Sequence, residues 1–442
     1  MKFRSTRDPA SVTDFCTALE RGIAADGGLY VPVSLPRLSL DDFDACATLP
    51  EVAERLLRPF VEGTMLAPSL AEICAEAFSF PIPLVELQSA PERLSVLELF
   101  HGPTAAFKDV GARFLAASLE RMNADRVRPL TILVATSGDT GGAVAAAFHG
   151  RPNVRIVVLY PLGLVSPRQE KQLTCWGGNV TTLAVEGSFD DCQRLVKQAF
   201  ADPGLREGHR LSSANSISIG RLLPQAVYYA LASLSLWHSE GRRPGFIIPT
   251  GNLGNAQACV WARSMGLPIA DVVLATNANR PIPDFLESGE WRPRESIATL
   301  ASAMDVGNPS NMERLRWQFG DDIDALRAAV SAVSVDDQQI REEISADFRR
   351  DGSVWCPHTA TAMWVYRHLS AKRRADRHWV VAATAHPAKF EEIVEPLIGR
   401  SVEIPGQLAA LLDLPVKATR IAPELDQLAS VLDLEEIQKS IT

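Results

Sequence analysis

From about residue 95 onward, short apolar runs rich in β-branched residues alternate with stretches of helical periodicity. Six of these runs read as strands: Thr131–Thr136, Val154–Tyr160, Val180–Val185, Phe246–Pro249, Val272–Thr276 and His378–Thr384. Helices are expected between them at Gly141–His149, Ser166–Cys175 and Phe189–Phe200. The second opens with Ser166 as N-cap and Pro167 at the first helical position. Parallel strands need crossover helices, the crossovers are right-handed, and the helices then cover both faces of the sheet. The pattern therefore predicts an α/β chain with mostly parallel sheets. Ligands in such folds bind beyond the carboxyl ends of the strands, where helix N-termini present free N–H groups.

Ahead of this alternation, residues 1 to about 90 read as a separate opening unit. Ser11–Ala24 is helix-like, Gly27–Pro36 is extended between glycine and proline, and helical stretches follow around Leu40–Ala47 and Glu51–Phe60. No internal repeat or low-complexity linker interrupts the chain, and the Arg-rich run near residue 374 reads as a solvated helix end. At 442 residues and 46% hydrophobic content the chain can bury enough apolar surface to exclude disorder as a description of the whole.

The charge balance excludes extended anionic partners. Lys+Arg 44 against Asp+Glu 53 gives a net charge of −9, whereas nucleic-acid wrapping and anionic membrane surfaces call for an excess of cations. That inference does not reach small anions, which a few local donors can hold. Seven scattered cysteines form no C-x-x-C pair, and the eight histidines show no H-E-x-x-H spacing, so neither a disulfide framework nor a metal site is expected. With no secretory signal and no window of about 18 uninterrupted apolar residues, a cytoplasmic location is expected.

Three turns carry possible chemistry. After the strand at 131–136 comes Ser137-Gly138-Asp139-Thr140-Gly141-Gly142, and after 246–249 comes Thr250-Gly251-Asn252-Leu253-Gly254-Asn255. Each sets glycines, hydroxyls and amides at a positive helix end, the chemistry of an anion cradle. Neither has the G-K-[ST] of a P-loop or the spacing of a dinucleotide site, and one such turn alone is more often merely tight. The third segment is Phe100–Asp109, where Lys108 sits among small and apolar residues at the start of a helical run, Val110 to Leu119. A lysine on a helix is usually solvent-exposed. Held among apolar groups, however, it has a lowered pKa and can form a Schiff base. A lysine beside two anion cradles suggests an aldehyde cofactor bearing a phosphate, pyridoxal 5'-phosphate.

These strings resemble the threonine synthase family. FHGPTAAFKD is similar to its cofactor-lysine segment. DGGLYVP, ATSGDTG, SPRQEKQ, SANS with Arg221 downstream, PTGNLGN, ATNANR, AMDVGNPSN, PHTATA and TAHPAKF follow in family order. The resemblance implies the fold type II pyridoxal-phosphate architecture and a lyase that converts O-phospho-L-homoserine and water into L-threonine and phosphate. It implies an N-terminal unit over 1–90 and a catalytic region over 91–430. That region would hold two α/β subdomains, the smaller about 110–235, with the cofactor between them.

Carried over by motif, Lys108 would hold the cofactor covalently and act as the catalytic base. Gly251, Asn252, Leu253, Gly254 and Asn255 would bind its phosphate, Thr384 would sit against its pyridine nitrogen, and Asp139 would face the ring edge. Ser137, Thr140, Ser216 and Arg221 would hold the substrate, with the forked guanidinium suited to an oxyanion. Ser216 and Thr140 could also serve simply as helix caps, and His358 and His386 read as packed histidines. Two positions depart from the family pattern: Ser218 where many members have Asn, and Leu253 where Phe is common. A threonine-synthase-like phospho-lyase releasing a 2-keto acid, ammonia and phosphate is the alternative reading. The partner expected is the small-molecule substrate, with no nucleic acid and no membrane, and the chain is expected as a monomer or homodimer.

Overall fold

A computed structural model describes residues 1–88, 93–136 and 138–440, the last seven of these in backbone only. The boundary expected at 90/91 and the candidate Ser137 lie outside the described residues. Two sheets dominate. The larger has six strands in the order Ser331–Ser334, Val272–Thr276, Gly245–Pro249, Trp379–Ala383, Leu94–Glu98 and Leu84–Glu86. All its pairings are parallel except the Leu84–Glu86 edge. The smaller sheet is parallel throughout, in the order Thr419–Ile421, Val180–Val185, Val154–Pro161, Leu130–Ala135 and Leu211–Ser213.

The six expected strands are all present within a residue or so of their expected ends. Their near-continuous hydrophobicity has the anticipated cause: Leu130–Ala135 and Val154–Pro161 are buried along their whole length, with helices on both faces. Most strands that the sequence reading missed are short or polar, but Leu94–Glu98 is neither: four of its five residues are buried and it lies inside the larger sheet. Ser331–Ser334 is half-buried at a sheet edge, and Thr419–Ile421 is three residues long.

The N-terminal unit carries a three-stranded antiparallel sheet, with Lys2–Ser5 between Val12–Asp14 and Tyr30–Pro32. This corrects the helix-like reading of Ser11–Ala24. Val12–Asp14 is a strand, and the helix spans only Phe15–Arg21, because Asp14 caps it by accepting from the Thr17 N–H at 2.8 Å. The Arg-rich run is also not simply solvated. Arg373 and Arg377 lie over the buried Trp379 ring at 5.5 and 5.9 Å from its centroid, and Arg374 donates to the Arg367 and Leu369 carbonyls. Among the described residues no helix is long and apolar enough to cross a membrane, and no cluster of three or more possible metal ligands occurs.

Candidate active site

The segment before Lys108 is folded back across the end of a neighbouring strand. The Phe107 N–H donates to the Thr384 carbonyl at 2.8 Å, and the His386 N–H to the Ala105 carbonyl at 3.0 Å. Ala105 is held at φ 53°, a left-handed conformation unusual for alanine, so the surrounding contacts fix this loop against its own preference. The buried Asp109 carboxylate accepts from the Thr104 N–H at 2.9 Å and the Thr104 hydroxyl at 2.7 Å. It lies in the first turn of the Lys108–Met122 helix, where the dipole favours an anion. Burial pushes its pKa up to about 6 against those hydrogen bonds.

Lys108 is the first residue of that helix, two residues ahead of the expected start. Its partly exposed side chain places Nζ 5.8 Å from the Phe107 ring centroid, and among the described residues the amine has no hydrogen bond or ion pair. Loss of solvation lowers its pKa to about 8. Asp139 opposes that shift, while Arg221 and Lys389 add to it.

The turn after Leu130–Ala135 closes on itself. The Thr136 hydroxyl accepts from the Gly138 N–H at 3.0 Å and the Gly141 N–H at 2.9 Å, and Gly138 takes φ +140°, which a side chain would strain. The helix then begins at Asp139, two residues before the expected Gly141. Asp139 is buried, and its carboxylate meets Lys389 Nζ at 2.7 Å and Gln169 Nε2 at 3.0 Å. Burial alone would raise its pKa, but Lys389 and Lys108 outweigh burial and hold it well below the usual carboxylate range.

The second turn is built from neutral amides. Gly251 is pressed against residue 304: a Cβ there would come within 2.6 Å of Met304 Cα. Leu253, at φ 64°, ends the turn, and the helix starts at Gly254. The Asn252 side-chain amide donates to the Ser216 hydroxyl at 2.6 Å, and the Asn252 main-chain carbonyl accepts from Asn311 Nδ2 at 2.9 Å. Asn311 is fixed in turn by Arg314 Nη1 at 2.6 Å. The other guanidinium nitrogens of Arg314 donate to the Tyr30 carbonyl at 3.0 Å and the Ile217 carbonyl at 2.6 Å. A fully buried arginine thus joins the N-terminal sheet to both sides of this turn. Behind it, the Tyr228 and Tyr229 hydroxyls donate to Asn255 Oδ1. Asn255 Nδ2 and Thr250 Oγ1 remain buried without partners.

Arg221 donates to the Ala214 carbonyl while its buried Nε has no partner. Burial lowers its pKa to about 10, which leaves it charged at neutral pH. Thr384, buried at the end of Trp379–Ala383, completes the set. Neither Ser216 nor Thr140 is a helix cap: Ser218 holds the N-cap position of Ile219–Leu222, and Thr140 is the second residue of its helix. His358 accepts from the Ala303 N–H at 3.1 Å and His386 from the Ala388 N–H at 3.2 Å, both in packed positions. Gln169, Asn311, Arg314 and Lys389 escaped the sequence reading of the site. Three of them stand inside strings quoted above for resemblance (SPRQEKQ, AMDVGNPSN and TAHPAKF), where their chemistry went unread.

Two largely parallel sheets with glycine-rich helix starts, and a lysine whose loop is hydrogen-bonded to the end of the larger one, are the parts of a fold type II pyridoxal-phosphate enzyme. Accordingly, residues 77–384 match the family described as pyridoxal-phosphate dependent enzyme. Residues 2–78 match the threonine synthase N terminus and residues 359–432 the threonine synthase C-terminal region. The chain belongs to the threonine synthase family. It is 39% identical to threonine synthase from Escherichia coli over 98% of this chain and 99% of that one. The structure of PLP-bound threonine synthase from Brucella melitensis superposes with a TM-score of 0.89 at 37% identity, covering 98% of each chain. The yeast threonine synthase structure gives 0.90 at 29% identity, covering 99% of each. Threonine deaminase from Solanum lycopersicum shares the fold alone, with a TM-score of 0.53 at 15% identity over 75% of this chain.

The cofactor of the family is pyridoxal phosphate, and the residues present fit it. The turn at Gly251–Asn255 offers backbone N–H groups at a helix start, a wall too close for any side chain at 251, and unpartnered buried donors at Thr250 and Asn255.

Proposed function

We propose that this chain converts O-phospho-L-homoserine and water into L-threonine and phosphate. The observation that carries this reading is the length of the likeness. Threonine synthases match over nearly the whole chain, N-terminal and C-terminal units included, whereas the threonine deaminase covers 75% of it.

Lys108 would carry the cofactor, the N–H groups of Gly251, Asn252, Leu253, Gly254 and Asn255 would hold its phosphate, Thr384 would offer a hydroxyl to the ring nitrogen, and Asp139 would face the ring edge. When bound, the cofactor supplies an electron sink that acidifies the carbon next to the amino group. The residues of the chain do the rest. A lysine whose pKa is near 8 can take a proton at neutral pH and return it, which suits Lys108 to serial transfers between substrate carbons. Arg221, charged and with one N–H unpaired, grips the substrate phosphate together with Thr140 and Ser216. The division into 1–90 and 91–430, with a smaller subdomain at about 110–235, belongs to the same reading. Four strands of the smaller sheet, from 130 to 213, fall inside the last range and support it, while the fifth, Thr419–Ile421, joins that sheet from outside it.

The test is to incubate the purified, cofactor-loaded protein with O-phosphohomoserine and separate threonine from 2-oxobutyrate. Threonine is expected as the main product. Dominant 2-oxobutyrate would establish the phospho-lyase alternative instead. Lys108→Ala should lower turnover by about 10³-fold or more, and full turnover in that variant would refute the role given to the amine.

A further inference from the structure

Lys389 is completely buried, and its ammonium has two partners: Asp139 at 2.7 Å and the Thr104 carbonyl at 2.7 Å. A lysine is rarely shut away from water unless it is paired. This one joins three segments that the sequence separates widely: the loop leading to Lys108, the first turn of the Asp139–Phe148 helix and the Pro387–Phe390 turn. Gln169 donates to the same Asp139 oxygen from a fourth element, the Pro167–Thr174 helix. Asp139 Oδ1 therefore holds both Lys389 and Gln169, and among the described residues Lys108 is not a partner of the carboxylate.

We propose that Lys389 is a positioning residue for the proton-transfer lysine: by occupying Asp139 it keeps that carboxylate from pairing with Lys108, and so leaves the Lys108 amine free to lose its proton. The inference rests on the reading of Lys108 as the reactive amine. The charged and titratable groups around the pair are few. Lys108 and Asp109 come from the Lys108–Met122 helix, Arg221 from the helix behind it, His358 from Pro357–His368 and the Cys356 thiol from its N-cap, where burial raises the pKa and keeps it neutral, and His386 from the turn that bears Lys389. His358 and His386 both have pKa values lowered to about 4, chiefly by burial, so neither carries charge at neutral pH. Loss of solvation is the largest influence on Lys108, and near pH 7 the charges that act beside it are Asp139 on one side and Arg221 and Lys389 on the other. Without Lys389, Asp139 becomes an uncompensated buried anion and Lys108 the cation in reach.

The experiment reads the proton affinity of Lys108 directly, in the full chain freed of cofactor. Competitive labelling of amines with dinitrofluorobenzene across pH 6 to 11, followed by peptide mass mapping, yields the midpoint at which Lys108 becomes reactive. Lys389→Met is expected to raise that midpoint by about one pH unit, a tenfold loss of reactive amine on the acid side. Lys389→Arg, which keeps the cation, should leave it in place. The double variant Lys389→Met/Asp139→Asn removes both charges and should return the midpoint to the wild-type value or below it. An unchanged midpoint in Lys389→Met would overturn the proposal. If that single variant does not fold, a midpoint above wild type in the neutral double variant would do the same. A merely structural role for Lys389 leaves the labelling midpoint where it was. Because the readout needs neither cofactor nor substrate, its failure is distinct from a failure of the threonine synthase reading, which the product assay tests.

Discussion

The two glycine-rich turns both launch helices from the carboxyl ends of parallel strands, yet they are held by opposite means. The turn at Gly138–Gly142 closes on the Thr136 hydroxyl and is anchored by charge, with Asp139 held by Lys389 and Gln169. The turn at Gly251–Asn255 is fixed by neutral amides, Asn252 and Asn311, with the one cation that steadies them, Arg314, set behind Asn311. A loop that receives a phosphate dianion has good reason to exclude carboxylates, since like charges at close range in a dry site repel strongly. A loop beside a proton-transferring amine can use a carboxylate, provided another cation neutralises it. The difference teaches that similar strings, S-G-D-T-G-G and T-G-N-L-G-N, serve different electrostatic ends.

The largest break in this contrast should come from Asp139→Asn. That change leaves Lys389 buried without its counter-charge and is expected to lower stability in urea by about 3–5 kcal/mol at pH 7. The pH dependence follows from the sign of the shift. Asp139 has a folded-state pKa held below its ordinary 3.8, so its stabilisation is complete above that value and is lost as pH falls through the folded value. The gap between wild type and variant should therefore persist down to about pH 4 and narrow only below it. A gap that already closes at pH 6 would mean that another group sets it.

On the neutral side, Arg314→Met should cost about 3 kcal/mol, because the Tyr30 and Ile217 carbonyls and the Asn311 side chain lose their shared donor. Cofactor titration should show weaker binding in the same variant, since Asn311 then no longer steadies the Asn252 carbonyl. Unaltered affinity would separate the brace from the turn. A smaller effect is expected from Gly251→Ala, about 2 kcal/mol in the cofactor-free chain, because the new Cβ meets backbone at Met304 and cannot be accommodated by a side-chain rotation. Smallest of all is Gly254→Ala. Its Cβ would find its nearest neighbour at an ordinary 3.6 Å, so thermal unfolding should move by no more than about 0.5 kcal/mol. Equal losses at 251 and 254 would show that the wall at Met304 yields.

Much of this was legible in the sequence for a physical reason. Buried parallel strands must be apolar along their whole length, so runs such as Ile156–Leu159 announce themselves. Strands that carry polar residues at a rim, such as Ser331–Ser334, give no such signal. Within the site, glycine-dense turns and a lysine among small residues can be read locally. Lys389 cannot, because its meaning lies in a carboxylate 250 positions earlier in the chain. A lysine between alanine and phenylalanine looks like any surface lysine until the fold closes over it. Arg314 is hidden in the same way, since two of its three partners are backbone carbonyls, which every residue has.

The strand Trp379–Ala383 sits in the interior of the large sheet, paired to Gly245–Pro249 on one side and to Leu94–Glu98 on the other. The chain is made from its N-terminus, so Leu94–Glu98 must wait through almost 300 further residues for the neighbour that links it to Gly245–Pro249. The loop that presents Lys108 leans on Thr384 and His386, directly after that late strand. A nascent or truncated chain lacking the last sixty or so residues therefore holds every glycine of both turns, Lys108 and the Thr104–Asp109 hydrogen bonds beside it, but lacks the Thr384 and His386 contacts that tie this loop to the sheet. The Lys108 loop thus gains its seat on the large sheet only long after its own residues have been made.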